Sequence, residues 1–290
     1  MKKIYSIVAT ALTFITLTTS CLGDTPEPEN KATFSYGPVF NTVINTTTGE
    51  KYYNNDIDYQ LTLDYVRSTL SLSQTDLKLN NSYQKHTIQI NDIPCKFEDY
   101  MLTASAATPV TISAPTMLNI SNFMFKLTDR VINNIYNPLI LLTYKVNNEY
   151  DVVVTPLTCV YFGKLTSRNL DTNDTFTVND VSTKVIFNPE TGVVNLDLGG
   201  IKFVEAMPAL DMTFPGITFD VTTTGYTLSS DMLTPTIKEV PFPNYPISKL
   251  NASAALDTGK MSLKFNCAPR GMSEYEITIE CEPVPTEIIQ

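Results

Sequence analysis

Residues able to do chemistry are few and scattered in this chain. His86 is the only histidine. It opens the alternating run Thr87-Ile88-Gln89-Ile90, and no Ser or Cys beside it carries an elbow or triad context, so it reads as an ordinary strand residue and not a general base. Asp171-Thr172-Asn173-Asp174 offer oxygens to a calcium ion but lack the Gly and distal Glu of an EF-hand loop, and read as a solvated turn. With 30 acidic residues, some carboxylate pair meets the spacing for glycoside hydrolysis by chance, and the sequence selects none. Tyr52, Tyr53, Tyr59 and Tyr65 could stack on sugar rings, although their alternation with polar neighbours is explained by sheet packing. No catalytic, metal or cofactor-binding residue is assigned, and the expectation is a protein that is not an enzyme.

The first residues are an address. Lys2 and Lys3 precede an apolar run, and Ile4 to Thr19 is 16 residues, short of the roughly 20 that a bilayer-spanning helix needs. The stretch therefore reads as a signal peptide, residues 1–20. Thr18-Thr19-Ser20-Cys21 resembles the lipobox of bacterial lipoproteins, with Leu17 four residues before the cysteine where the usual pattern has three. That resemblance implies a diacylglyceryl thioether on Cys21, cleavage before it and acylation of the new amino terminus, hence a stable membrane anchor. Residues 21–33, with Asp24, Pro26, Glu27, Pro28 and Glu29, read as an extended tether of at most ~40 Å beyond the cysteine at ~3.3 Å per residue. Acidic residues behind a lipidated cysteine resemble the surface-export signal of Bacteroides-type lipoproteins, which implies an outer-membrane, outward-facing address.

Four further cysteines, Cys95, Cys159, Cys267 and Cys281, could form two disulfides in an exported chain. Met261, Leu263, Phe265 and Cys267 alternate, as do Tyr275, Ile277, Ile279 and Cys281, the period of two half-buried strands. A hairpin centred on Gly271 would set Cys267 opposite Tyr275 and Cys281 opposite Met261. The sulfurs would then lie roughly 20 Å apart along the ladder, beyond the ~7 Å limit for bridged Cα atoms. They read as buried free thiols.

The elements that must hold these residues are strands. A formal charge of -10 and a pI of 4.6 leave no basic surface for nucleic acid. A hydrophobic fraction of 43% excludes disorder. Alternation recurs at Ile57-Tyr59-Leu61-Leu63, Leu196-Leu198, Ile201-Phe203, Met212-Phe214 and Ile217-Phe219-Val221, punctuated by Asn54-Asn55, Asn80-Asn81, Asn147-Asn148 and Thr258-Gly259. Only Ser121 to Tyr136 could make a helix. The apolar parity changes across Gly199-Gly200 and across Pro215-Gly216, where a β-bulge would restore one apolar face and suit a curled sheet or small barrel.

The chain also echoes itself. Tyr100, Leu102, Thr108 and Pro109 match Tyr226, Leu228, Thr234 and Pro235 at an offset of 126, and Glu149-Tyr150-Asp151 matches Glu274-Tyr275-Glu276 at 125. An internal duplication would put a boundary in the polar stretch 166–175. With its lipidated cysteine and alternating segments such as Val194 to Val204 and Gly225 to Ile237, the chain resembles the calycin-like lipoproteins of Bacteroides-type bacteria, loosely from Phe34 to Pro283 and most clearly from Val185 to Cys281. The resemblance implies an all-β fold of two similar antiparallel β-barrel or sandwich domains, residues 34–165 and 176–290, joined by a linker at 166–175. It also implies an apolar ligand inside a barrel. The expected function is a non-enzymatic, lipid-anchored envelope protein binding a small apolar ligand or glycan, with a structural or adhesive surface subunit as the alternative and a carbohydrate-active enzyme as a third reading.

Overall fold

Apolar residues at every second position, set between Asn- and Gly-bearing turns, leave extended strands as the arrangement that buries one face and solvates the other. The computed structural model describes residues 30–282 except 37, 56, 83, 99–100, 107–109, 114–116, 129–130, 133–134 and 137–138. The signal peptide, Cys21 and most of the tether lie outside the described residues. Every regular element among them is a strand.

The first half supplies β1 (Lys31–Tyr36), β2 (Val39–Asn45), β3 (Lys51–Asn54), β4 (Tyr59–Asp64), β5 (Thr69–Leu77), β6 (His86–Glu98), β7 (Met101–Ala106), β8 (Val110–Ser113), β9 (Met117–Thr128), the short pair β10 (Val131–Ile132) and β11 (Ile135–Tyr136), then β12 (Leu139–Val146) and β13 (Tyr150–Pro156). They form one antiparallel sheet in the order β1-β4-β5-β6-β7-β9-β12-β13-β2-β3, with β8 beside β9 and β10–β11 apart. The long β6 passes between two sections of this sheet, pairing with β5 up to Pro94 and with β7 from Cys95 onward. The sheet thus folds over one core in which Leu61, Leu72 and Ile90 share a cluster with Val43, Phe125 and Val152. Ser121 to Thr128, where a helix was conceivable, is strand β9. Its alternating Phe123 and Phe125 are buried in that core, and sheet pairing on both sides overrides local propensity.

The second half supplies β14 (Thr158–Asn169), β15 (Thr175–Asn188), β16 (Val193–Ile201), β17 (Leu210–Thr222), β18 (Gly225–Leu233), the small hairpin β19 (Thr236–Ile237) and β20 (Val240–Pro241), then β21 (Ile247–Ala255), β22 (Met261–Cys267) and β23 (Tyr275–Cys281). Eight of these run as an antiparallel meander, β14-β15-β16-β17-β18-β21-β22-β23, and β23 pairs back onto β14 from Gly163 to Asn169. The sheet is a closed barrel. Both glycine-marked phase shifts are bulges: the β16–β17 register slips between Leu198 and Ile201 and between Val194 and Leu196, with Gly200 at φ 78° and Gly216 at φ 68°. Asp211 and Asn195 side chains accept the freed N–H groups of Gly200 (3.1 Å) and Gly216 (3.2 Å). Leu196, Leu198, Ile201, Met212, Phe214 and Ile217 all face inward as a result.

The two halves differ in closure: one sheet closes on itself, while the strand path of the other ends at β1 and β3. One expectation is corrected, because 166–175 is not a linker: Arg168 pairs with Thr175, and the residues between them are the turn of the β14–β15 hairpin. The chain crosses between sheets at Leu157, whose N–H donates to Pro38 O (3.0 Å) and whose carbonyl accepts from Phe187 N–H (2.9 Å). No polar spacer is needed there because β2, β12 and β13 are largely buried on both faces. Ile140, Leu142, Val152 and Val154 join the first core, while Phe40, Leu139, Leu141 and Val153 join the core of the barrel. From Lys31 onward the chain is one unit.

Candidate functional site

A ligand-carrying barrel needs an interior with room in it, and this interior is full. Eight strands enclose a space just wide enough for side chains, and here Leu165, Val185, Leu196, Phe214, Phe265 and Ile279 are 0% exposed. A cavity of ligand size would leave its lining accessible to water. Both ends are stoppered. At one, the Phe40 ring from the first sheet meets Phe187 at 5.3 Å and Phe219 at 6.0 Å between centroids, above a buried pair in which the Tyr226 hydroxyl donates to that of Tyr161 (2.9 Å). At the other, Phe203 packs on Tyr275 and Tyr245, each at 6.1 Å.

The residues singled out from sequence scatter through the fold. Cys21 lies outside the described residues. His86 is 2% exposed, at the start of β6 opposite Leu77. Asp171 and Asp174 are exposed on the β14–β15 turn, where Asn169 Oδ1 accepts the N–H groups of Asp171 (2.9 Å) and Thr172 (3.2 Å) and the Thr172 hydroxyl donates to Asp174 (2.7 Å). Those side chains fold the turn, and no group of three or more potential metal ligands occurs among the described residues. Cys95, Cys159, Cys267 and Cys281 are free thiols, with Cys267 opposite Tyr275 and Cys281 opposite Met261. Burial pushes the thiols of Cys267 and Cys281 up to about 12.

The carboxyls of Asp64 and Glu276 are held below their ordinary range. For Asp64 the main cause is hydrogen bonds from the Arg67 and Val66 amides; for Glu276 it is the hydrogen-bonded Lys264 ammonium, with Arg168 adding to it. A general acid needs the opposite shift.

Of the four tyrosines, Tyr59 is buried and donates to Asn41 Oδ1. Tyr53 packs on Phe219 at 5.1 Å in the junction between sheets, and burial there raises its hydroxyl. Tyr65 is half-buried, and burial likewise raises its hydroxyl. Tyr52 alone lines an open groove. This concavity of about 410 Å³ lies where the β2–β3 hairpin and the start of β13 meet the loop after β5. Register sets its floor, with Val43 opposite Tyr52 and Asn45 opposite Tyr150. Asn45 Oδ1 accepts the N–H groups of Thr47 and Thr48, each at 2.9 Å, which tightens the hairpin turn and presents Glu50. Asn80 Oδ1 accepts the N–H of Ser82 (2.8 Å) and lifts exposed Asn81 and Ser82 to the rim, over Leu79, which is anchored in the core. Lys51 takes its ammonium away to Asp220 and to the carbonyl of Val221 (2.8 Å). What remains is two phenol rings, amides, a hydroxyl and the carboxylate of Glu50. Such a set offers donors and acceptors beside an aromatic surface and suits a ligand rich in hydroxyls. Asn80-Asn81 and Glu149-Tyr150 were visible in the sequence only as turn and repeat markers. Their convergence belongs to the tertiary fold.

No protein-family model matches the chain, and no curated protein matches it. Solved structures similar to it include the following two. A candidate outer membrane protein of Bacteroides fragilis is 14% identical, over 88% of this chain and 98% of that one, with a TM-score of 0.34. The isotype 1 transferrin binding protein B of serogroup B Neisseria meningitidis is 8% identical, over 88% of this chain and 77% of that one, with a TM-score of 0.23. Neither likeness bears on what this chain binds.

Proposed function

We propose that the chain is a non-enzymatic recognition protein of the bacterial outer membrane, anchored by lipid on Cys21, that binds a hydroxyl-rich, glycan-like ligand in the Tyr52 groove. One observation carries the choice between the two ligand classes: the barrel interior is packed and stoppered, while the polar, tyrosine-lined concavity lies in the other sheet. An apolar passenger has no room in the first, and an oligosaccharide finds stacking and hydrogen-bonding partners in the second. The test is a glycan array probed with the full chain and with Tyr52→Ala. The expected result is a restricted set of bound glycans that the variant loses at unchanged melting temperature. Binding to none, or equal binding by both proteins, would overturn the assignment.

The anchor has its own test. Labelled palmitate should enter the wild-type chain and be absent from Cys21→Ala. The alternative, an assembling surface subunit, draws on β1, an edge strand of the first sheet whose one ladder partner among the described residues is β4. A free edge can accept a strand from another chain, and that reading predicts concentration-dependent polymers in sedimentation, where the recognition reading predicts a monomer.

A further inference from the structure

The barrel carries a second concavity, of about 390 Å³, on its outer wall. It is built by register. Thr227 of β18, Ser253 of β21, Ser262 of β22 and Glu280 of β23 are successive ladder partners, so their side chains form one row crossing four strands on the outer face. Their chain neighbours Tyr226, Ala254, Met261 and Cys281 point into the core. The trough exists because Thr227, Ser253 and Ser262 are short and the next row contains Gly225 opposite Ala255.

The polarity of the trough selects the ligand. Ser262 donates to Glu280 (2.7 Å), and the Lys260 ammonium is paired with Glu282 at 2.9 Å. On β14 the ladder partner of Glu280 is Lys164, so two carboxylates stand with two cations, and the balanced trough offers no surplus of positive charge to a phosphate- or sulfate-bearing chain. An apolar ligand would have to strip water from the hydroxyls and carboxylates of the row without replacing their hydrogen bonds. The spacing selects the shape. Neighbouring strands stand ~4.8 Å apart, so the row repeats its polar groups at close to the advance per sugar of an extended β-linked glycan. A chain laid across the strands would meet a hydroxyl or a carboxylate at each sugar.

We propose that this row is a binding site for an extended, β-linked glycan without acidic groups, lying across β18, β21, β22 and β23. The site is distinct from the Tyr52 groove and stands whether or not that groove binds. The test is calorimetric titration of the full chain with cellohexaose and chitohexaose, with curled maltohexaose as control. At least one extended hexaose should bind, the disaccharide cellobiose should bind about tenfold more weakly or worse, and maltohexaose should fail. Ser253→Trp fills the trough and should weaken the hexaose about tenfold or more, whereas Tyr52→Ala should change it less than about twofold. Should Ser253→Trp not fold, exposed Thr227→Arg decides by the same criterion. The proposal is overturned if neither extended hexaose binds, if maltohexaose binds as well as they do, or if binding is lost in Tyr52→Ala and retained in the trough variant. That last outcome would leave the Tyr52 groove standing alone.

Discussion

The closed barrel and the folded sheet solve the same problem in opposite ways. In the barrel, β23 returns to β14, so every strand of the meander is paired on both sides and the interior is a single apolar cluster. The first sheet stays open at β1 and β3 and buries polar groups in its core. The Tyr59 hydroxyl donates to Asn41 and that of Tyr144 to Gln74, with Asn41 and Gln74 each 0% exposed. These bonds tie one section of the sheet to the other across the core, as the Tyr226–Tyr161 bond joins β18 to β14 inside the barrel, where ladder closure already holds the wall together. A packed, closed wall leaves shallow surface for recognition. A sheet folded over itself leaves an open rim, and the tyrosine groove sits there.

The comparison breaks hardest at the junction. Phe40 leaves the first sheet to stopper the barrel, so Phe40→Ala empties a space in the barrel core where the two sheets meet and should cost about 3–5 kcal/mol. If the junction is what makes the unit cooperative, calorimetry will resolve two transitions in the variant where the wild type shows one. One shifted transition would mean that the Leu157 crossing and the contacts of Leu139, Leu141 and Val153 suffice.

Closure itself is tested at glycine. A Cβ on Gly225 would lie 1.9 Å from the carbonyl oxygen of Ala254, and one on Gly163 would lie 2.2 Å from that of Glu280. Neither obstacle is a side chain able to swing aside. Gly225→Ala should therefore cost about 1–3 kcal/mol or more and loosen the β18–β21 pairing, read as faster amide exchange in the barrel than in the first sheet. Across the first core, Tyr144→Phe removes one polar tie, leaves Gln74 without its donor and should cost about 1–3 kcal/mol. Amide exchange should then quicken in β5 and leave β21 as it was.

Much of the barrel was legible because its informative features are local. The Met261–Cys267 and Tyr275–Cys281 alternation set the hairpin register to the residue, and a parity change beside glycine marked the two bulges between β16 and β17. The closing pair β14–β23 was not legible, since its partners lie more than a hundred residues apart and periodicity names a face but not a neighbour. Leu139-Ile140-Leu141-Leu142 and Val152-Val153-Val154 did carry a signal: continuous apolar runs belong to strands buried on both faces. The polar stretch 166–175 misled because a solvated hairpin turn and a linker share one composition. The Tyr52 groove was least visible, being assembled from Asn, Ser and Tyr residues that each look ordinary where they stand.

Acid and alkali should separate the two regions further. Glu276, beside Lys264 and Arg168, titrates below the ordinary carboxylate range in the folded barrel, so it stabilises above the unfolded value and loses that contribution as pH falls through the folded one. Asp64, capped by the amides of its own turn, does the same for the first sheet. Glu276→Gln should flatten the acid-side loss of amide-exchange protection in the barrel and leave that of the first sheet. At high pH the sign reverses. Cys267 and Cys281 stay protonated in the fold up to about 12, whereas an unfolded thiol ionises near ~8.5, so the barrel should lose stability from about that pH upward. Cys267→Ala/Cys281→Ala should remove that slope below pH ~10, above which the buried Tyr226 hydroxyl, itself pushed up by burial, adds its own.

The smallest expected effect sharpens how the barrel bends. Its bulges place one residue each in the left-handed region: Asp180, Gly200, Gly216 and Lys249. Gly takes this conformation freely and Asp tolerates it, but for Lys, at φ 54°, the Cβ crowds the following carbonyl at roughly 1–2 kcal/mol. Lys249 is exposed, so substitution removes little packing. Lys249→Gly relieves the crowding but widens the freedom of the unfolded chain, a cost of similar size. The two nearly cancel, and Lys249→Asn, which tolerates the conformation without that freedom, should be the more stable variant. Urea titration of both would decide it. A loss in Lys249→Asn would mean that the lysine stem, lying along the β21 bulge, contributes more than its backbone costs.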